Sequence, residues 1–275
     1  MIKVALMYDF DKTLCTRNMQ EYDLLPELGV QPEVFWKEVA DMSRRENMES
    51  TLAYMYLLLQ KSRDRGFYVK RENFQALGKM IEYYPGVREY FRRINEYGRQ
   101  RGVEIQHFII SSGTKEILEG CDIYDEFTRV YACEFHYDDK GNADWPAIAI
   151  NYTSKTQFIF RINKNALEMY EDKKVNAYLD RSQRDVPFTN MVYLGDGMTD
   201  VPCMKIVRDN GGYSICVYDD DKTIADDLLT HGRVNFAKKA DYREDSPLDV
   251  TLKAIIDKIV QEENLRNIQK EFYEQ

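Results

Sequence analysis

Apolar residues follow two rhythms along the chain. Short unbroken runs occur at Val4-Ala5-Leu6-Met7-Tyr8, His107-Phe108-Ile109-Ile110 and Met191-Val192-Tyr193-Leu194. Runs of this length suit strands buried on both faces of a parallel sheet. Each ends in polar or glycine residues: Asp9-Phe10-Asp11, Ser111-Ser112-Gly113 and Gly195-Asp196-Gly197. Because open α/β sheets bind ligands outside the carboxyl ends of their strands, these three ends are expected to converge on one site. The second rhythm, with helical spacing, fills residues 31–84. Its apolar positions are Val34, Phe35, Val39 and Met42, then Leu52, Met55, Leu58 and Leu59, then Phe74, Leu77 and Ile81. Pro32 fits a first helical position and Gly66 a helix end.

The expected elements assemble in order. An all-helical insert without strands follows the first strand, with hinges at residues 15–21 and at Tyr84-Pro85-Gly86, a turn signal. An amphipathic helix follows over 87–97. Residues 130–135 and 147–152 flank the turn-forming stretch Tyr137-Asp138-Asp139-Lys140-Gly141-Asn142 and predict a β-ribbon. The pattern then predicts a helix over 155–179, strands over 213–217 and near 233–236, and a charged helix from Leu248. The fold class is α/β: a Rossmann-like parallel-sheet core of residues 1–16 and 86–275, with a helical domain of residues 17–85 inserted.

Composition narrows the partners. The 275 residues suffice for a large domain and a smaller one, since domains run to roughly 100–200 residues. With 44% hydrophobic and 31% charged residues, the chain can bury a packed core. A formal net charge of -9 disfavours nucleic acid as a partner. Residues 1–7 are too short an apolar stretch for a signal core or a membrane span, so a cytoplasmic location away from membranes is expected. Cys15, Cys121, Cys133, Cys203 and Cys216 are odd in number and lack zinc-ligand spacing, which fits a reducing compartment.

Candidate chemistry sits at the strand ends. In Asp9-Phe10-Asp11-Lys12-Thr13, residues one apart can turn toward the same crevice, so that Asp9 attacks phosphorus while Asp11 serves as general acid and base. The plainer alternative is a solvated Asp-rich turn. In Gly195-Asp196-Gly197-Met198-Thr199-Asp200, two carboxylates join Asp9 as oxygen ligands for magnesium, unless Asp196 merely caps the next helix. Ser111-Ser112-Gly113 offers a hydroxyl and backbone N–H groups to phosphate oxygens. Lys155, at a helix start, offers an ammonium; Lys164 competes for that role. Arg17, Arg44 and Arg45 are further candidates to meet an anionic group.

Four such elements in this order resemble the haloacid dehalogenase superfamily, whose motifs are Asp-x-Asp-x-Thr, an apolar run ending in Ser or Thr, a Lys, and Gly-Asp-x-x-x-Asp. The resemblance spans Asp9 to Asp200. It implies an aspartyl-phosphate on Asp9. It also implies magnesium held by the Asp9 carboxylate, the Asp11 backbone carbonyl and Asp196, with Asp200 binding the metal or orienting its waters. Thr13, Ser111, Ser112 and Lys155 would form the phosphate-binding set, with Thr13 also supporting the loop that carries Asp9 and Asp11. The insert resembles the superfamily's first-position cap, and the ribbon before Lys155 is similar to the arrangement in phosphoserine phosphatases. The function implied is magnesium-dependent hydrolysis of a small phosphorylated metabolite. Rivals are phosphoryl transfer to another hydroxyl, as in mutases, and a non-catalytic phospholigand-binding module. Dehalogenation would leave Asp11 idle.

Overall fold

The computed structural model describes residues 1–66, 69–180 and 183–273. Seven strands, β1 (Ile2–Tyr8), β2 (Val103–Thr114), β3 (Arg129–Tyr137), β4 (Ala143–Ile148), β5 (Met191–Gly195), β6 (Tyr213–Tyr218) and β7 (Phe236–Lys239), form one sheet in the order β4-β3-β2-β1-β5-β6-β7. Every pairing is parallel except β3 with β4. Residues Val4–Tyr8 of the central strand are wholly buried, as expected of a strand covered on both faces. Tyr8 lies in register with Ile109 of β2 and Leu194 of β5, which brings the three polar strand ends level. β2 runs on through Ser111-Ser112-Gly113 to Thr114, with its register against β3 broken between Ile110 and Thr114.

Helices α1 (Leu24–Glu27), α2 (Pro32–Glu46), α3 (Ser50–Asp64) and α4 (Arg71–Leu77) lie between β1 and β2. Pro32 opens α2, and Asn47, at φ 50°, closes it. The Glu49 carboxylate accepts the Leu52 N–H and starts α3. Gly66, at φ 68°, follows its end. Val34 is the exception to the expected apolar face of α2, being exposed. The segment expected to be free of strand pairing carries two single bridges, Cys15 with Tyr83 and Lys70 with Asn142.

Beyond the insert come α5 (Val87–Arg99), α6 (Lys115–Glu119), α7 (Lys155–Asn163), α8 (Asp172–Asn176), α9 (Val201–Asp209), α10 (Thr223–Thr230) and α11 (Pro247–Tyr273). Val87, Tyr90, Phe91 and Ile94 form the buried face of α5, each contributing roughly 1.5–3 kcal/mol by burial. The turn before it needs Gly86: φ is 81°, and a Cβ there would lie 2.5 Å from the backbone of Arg243.

α4 packs on α6. Gly78 and Gly120 permit the approach, since a Cβ on Gly120 would stand 1.7 Å from the Gln75 carbonyl oxygen. Phe74 stacks on Phe135 of β3 at 5.5 Å, and Arg71 pairs with Glu119 and Glu134. Ile81 lies past α4, after a 3-10 turn over residues 78–80.

Three expectations are corrected. The second ribbon strand, expected over 147–152, lies at Ala143–Ile148, because Asp138 Oδ1 accepts the N–H groups of Lys140 and Asn142 and closes the turn by Asn142. The helix predicted over 155–179 ends at Asn163, because the buried Arg161 guanidinium draws in the carbonyls of Glu168 at 2.8 Å and Met169 at 3.3 Å and the chain turns at Asn165, φ 51°. The last strand begins at Phe236, since Asn235 upstream uses its side chain to accept the Ser214 N–H. Among the described residues, no helix is long and apolar enough to cross a membrane.

Candidate active site

β1 carries Asp9 just past its carboxyl end, where the Asp9 N–H donates to the Leu194 carbonyl at 2.9 Å. Opposite stands Lys155, the first residue of α7 and 1% exposed. Its Nζ donates to Asp9 Oδ1 and to Asp200 Oδ1, both at 2.8 Å. The Asn151 carboxamide oxygen aims this helix by accepting the N–H groups of Thr153 and Ser154 at 3.1 and 2.9 Å. Lys164, the competing lysine, instead donates to the carbonyls of Val175 and Ala177.

β5 and the 3-10 turn after it supply the other acids. Asp200 is fully buried, and its Oδ1 also accepts the Tyr193 hydroxyl at 2.8 Å. It makes no side-chain cap to α9. Gly195 must lack a side chain, because a Cβ there would sit 2.5 Å from Asp200 Oδ2. That Oδ2 is buried with no hydrogen-bond partner among the described residues. One carboxylate oxygen from each of Asp9, Asp196 and Asp200 lies within 4.8 Å of the others.

Asp11 stands apart from the ammonium. Its Oδ1 accepts the Met19 N–H at 2.9 Å, and the Met19 sulfur in turn accepts the Thr114 N–H, fastening the loop after β1 to the end of β2. Ser111 is buried at the cavity wall, and its Oγ accepts the Gly113 N–H at 2.9 Å. Ser112 also lines the cavity, while its carbonyl accepts the Tyr54 hydroxyl from α3 at 2.8 Å. Thr13 lies away from the wall: it is fully buried, and its carbonyl accepts the Tyr242 hydroxyl at 2.8 Å. Arg17 pairs with Glu82, Arg44 with Asp41 and Arg45 with Glu46, and none of the three lines the cavity.

The cavity encloses about 480 Å³. Asp9, Asp11, Lys12, Ser111, Lys155 and Asp196 surround one end, and Gln20, Trp36, Val39, Thr51 and Tyr54 bound it from the helical insert. Burial pushes the Asp9 carboxyl up to about 6 against the pull of Lys155, with Asp200 adding to the rise. Burial, then Asp9 and Asp200, push Asp196 up to about 7. Burial and the neighbouring Asp9 hold Asp11 well above the usual carboxylate range. Burial disfavours the Lys155 ammonium, but Asp200 and Asp9 outweigh it and raise its pKa. The upward push on these carboxyls marks an excess of negative charge that Lys12 and Lys155 do not cancel, and a divalent cation would relieve it. The all-oxygen donor set and the orphaned Asp200 Oδ2 fit magnesium.

Sequence reasoning missed Asn151, Tyr193, Met19 and Gln20. Asn151-Tyr152-Thr153-Ser154 carries a turn signal that pointed to the first of these. Tyr193 looked like one more apolar strand residue.

The fold is that of an α/β protein with an acidic cleft at the carboxyl ends of its parallel strands. The chain belongs to the haloacid dehalogenase-like hydrolases, whose family model matches residues 6–205. An uncharacterized protein of Borreliella burgdorferi is 29% identical over 273 residues, covering 89% of this chain and 93% of its own. Among solved structures, a haloacid dehalogenase family hydrolase from Salmonella enterica serovar Typhi superposes with a TM-score of 0.59 at 12% identity, over 91% of this chain and 70% of its own. A substrate-bound phosphoserine phosphatase superposes with a TM-score of 0.57 at 14% identity, over 92% and 99%. At these identities the likeness is one of fold.

Proposed function

We propose that the protein is a magnesium-dependent phosphatase that hydrolyses a small phosphate monoester through an aspartyl-phosphate on Asp9. The observation that carries this reading is the buried Lys155 ammonium held at 2.8 Å by both Asp9 and Asp200, with an Asp196 oxygen within 4.8 Å of theirs. Family membership and the likeness to a phosphoserine phosphatase support it.

The Asp9 carboxylate forms a bond to phosphorus as the bond to the ester oxygen breaks. Asp11, whose burial favours the protonated form, gives its proton to that leaving oxygen. The Asp11 carboxylate then takes a proton from water, whose oxygen attacks phosphorus and releases Asp9. Lys155 and the Ser111 hydroxyl offset charge on the phosphoryl oxygens, which is where the protein does most of its work in such reactions. Magnesium would be held by Asp9, Asp196 and the Asp11 backbone carbonyl, with Asp200 beside them, and would supply the positive charge that two ammonium groups leave wanting. Residues 17–85 serve as the cap, with α2 and α3 over the cavity to exclude water during attack.

The test measures phosphate release from a panel of phosphorylated metabolites, with magnesium and with EDTA. Asp9→Asn and EDTA should each abolish turnover. Undiminished turnover in Asp9→Asn would remove Asp9 as the nucleophile, and turnover indifferent to EDTA would remove the metal.

A further inference from the structure

We infer that Tyr193 is a positioning residue for the metal site: its buried hydroxyl holds Asp200 in place among the acids before the cation arrives. This deepens the phosphatase reading and rests on the metal in it.

Packing does not ask for the hydroxyl. Tyr193 lies in β5, level with Met7 of β1 and Ser214 of β6, and is wholly buried. A phenylalanine ring would fill that place, whereas a buried hydroxyl costs stability unless it is bonded. Among the described residues its partner is Asp200, whose Oδ1 accepts it at 2.8 Å. Asp200 is itself wholly buried, at the end of the 3-10 turn Met198–Asp200 that follows the strand.

That bond is the first of a chain. Asp200 Oδ1 also accepts Lys155 Nζ at 2.8 Å, and the same Nζ donates to Asp9 Oδ1 at 2.8 Å. Tyr193 on β5 therefore fixes the oxygen that anchors Lys155 on α7, and Lys155 in turn fixes Asp9, a proposed magnesium ligand. On its other side the carboxylate is bounded by Gly195, where even a Cβ would come within 2.5 Å of Asp200 Oδ2. Two donors on one oxygen and backbone against the other leave the carboxylate one orientation.

That orientation has to be held. One Asp200 oxygen stands within 4.8 Å of oxygens from Asp9 and Asp196, and like charges gathered in the interior repel. Freed of the hydroxyl, the Asp200 side chain would turn from its neighbours and draw Lys155 after it, so that a cation would have to reorder both on binding. Losing a donor also leaves more charge on the carboxylate, which works in the opposite direction. The ordering cost is the larger effect, because Lys155 still donates to the same oxygen: its charge changes little, while its orientation loses one of two constraints.

The experiment uses the full chain without substrate. Calorimetric titration should show the magnesium Kd of Tyr193→Phe to be about 10-fold above the parent's, the low end of the range for partners that orient metal ligands. Where the metabolite panel finds a substrate, half-maximal phosphate release should need about 10-fold more magnesium, with KM for the ester at saturating magnesium unchanged. In an Asp200→Ala background the hydroxyl has no carboxylate to hold, so adding Tyr193→Phe should change the magnesium Kd by less than about twofold. A hydroxyl that matters only to the fold would lower the melting temperature of Tyr193→Phe in EDTA and leave the magnesium Kd as it was. That result, a tighter Kd, or an equal loss in both backgrounds would overturn the inference while leaving the phosphatase reading intact. A parent that binds no magnesium and turns over as well in EDTA would remove the metal from that reading, and this inference with it.

Discussion

Replacing Lys155 by Met tests whether the ammonium holds the acidic cluster together. Lys155 is 1% exposed, and its partners Asp9 and Asp200 are 6% and 0% exposed. Met keeps most of the volume but leaves two buried carboxylates facing each other, with both 2.8 Å hydrogen bonds gone. Breaking a buried pair by removing one member costs about 3–5 kcal/mol, a large part of a total stability of about 5–15 kcal/mol. The loss should depend on pH. Lys155 is the strongest influence holding the Asp9 carboxyl down at about 6, so without it that carboxyl rises further. A carboxyl whose folded pKa exceeds its unfolded value of 3.8 binds protons that the unfolded chain does not. Stability is therefore gained as pH falls through the folded pKa toward 3.8. Urea denaturation in EDTA should show a deficit of about 3–5 kcal/mol at pH 7.5. At pH 5.5 the deficit should be smaller by at least about 1 kcal/mol. Adding Asp200→Asn should recover part of the deficit, because the two sites share one network. A deficit below about 1 kcal/mol, equal at both pH values, would mean that the triad behaves like a solvated surface pair and would refute the reasoning.

Two further perturbations probe the fold around the site. His107 is buried, with its nitrogens against the Tyr8 hydroxyl and the Asn95 carboxamide oxygen, and burial pulls its pKa from 6.5 down to about 3. Unfolded chains bind the proton first as pH falls through 6.5, so stability drops between 6.5 and 3, by roughly 4–5 kcal/mol at about 1.4 kcal/mol per pH unit; His107→Gln should flatten that part of a stability-versus-pH curve, and an unchanged slope would argue against a neutral buried imidazole. Gly120 has φ −89°, ordinary for Ala, so Gly120→Ala would be mildly stabilising were it not for the Gln75 carbonyl oxygen 1.7 Å from the added Cβ. Thermal unfolding should show a loss of at least about 2 kcal/mol, and a gain would deny the close approach of α4 to α6.

How much of this was legible depended on the range of the forces involved. Parallel strands buried on both faces read as unbroken apolar runs, so β1, β2 and β5 and the polar ends they carry could be found from local pattern. The candidates Asp9, Asp11, Ser111, Ser112, Lys155 and Asp196 all line one cavity, and Asp200 lies in the cluster beside it. Periodicity fails where a side chain overrides it from a distance. Phe158, Ile159 and Ile162 keep helical spacing, but the Arg161 guanidinium claims carbonyls beyond Asn163 and closes the helix. Tyr193 fits strand alternation, which says nothing of a hydroxyl reaching Asp200. The seat of α4 on α6 depends on Gly78 and Gly120, distant in sequence and visible as partners only in three dimensions.

The same distinction explains the paired aspartates. Asp9 and Asp11 are the same residue type, two positions apart, and local sequence cannot say which of them carries the proton. The difference arises from what folding brings to each. Asp9 receives an ammonium from α7, 146 residues away, which keeps the carboxylate form within reach near neutral pH. Asp11 lies buried beside the Asp9 charge, and together these outweigh the Met19 backbone N–H it accepts at 2.9 Å, so its proton is held more tightly. The proposed division into nucleophile and acid therefore follows from their surroundings. An exchange of their roles would require moving Lys155, not changing either aspartate.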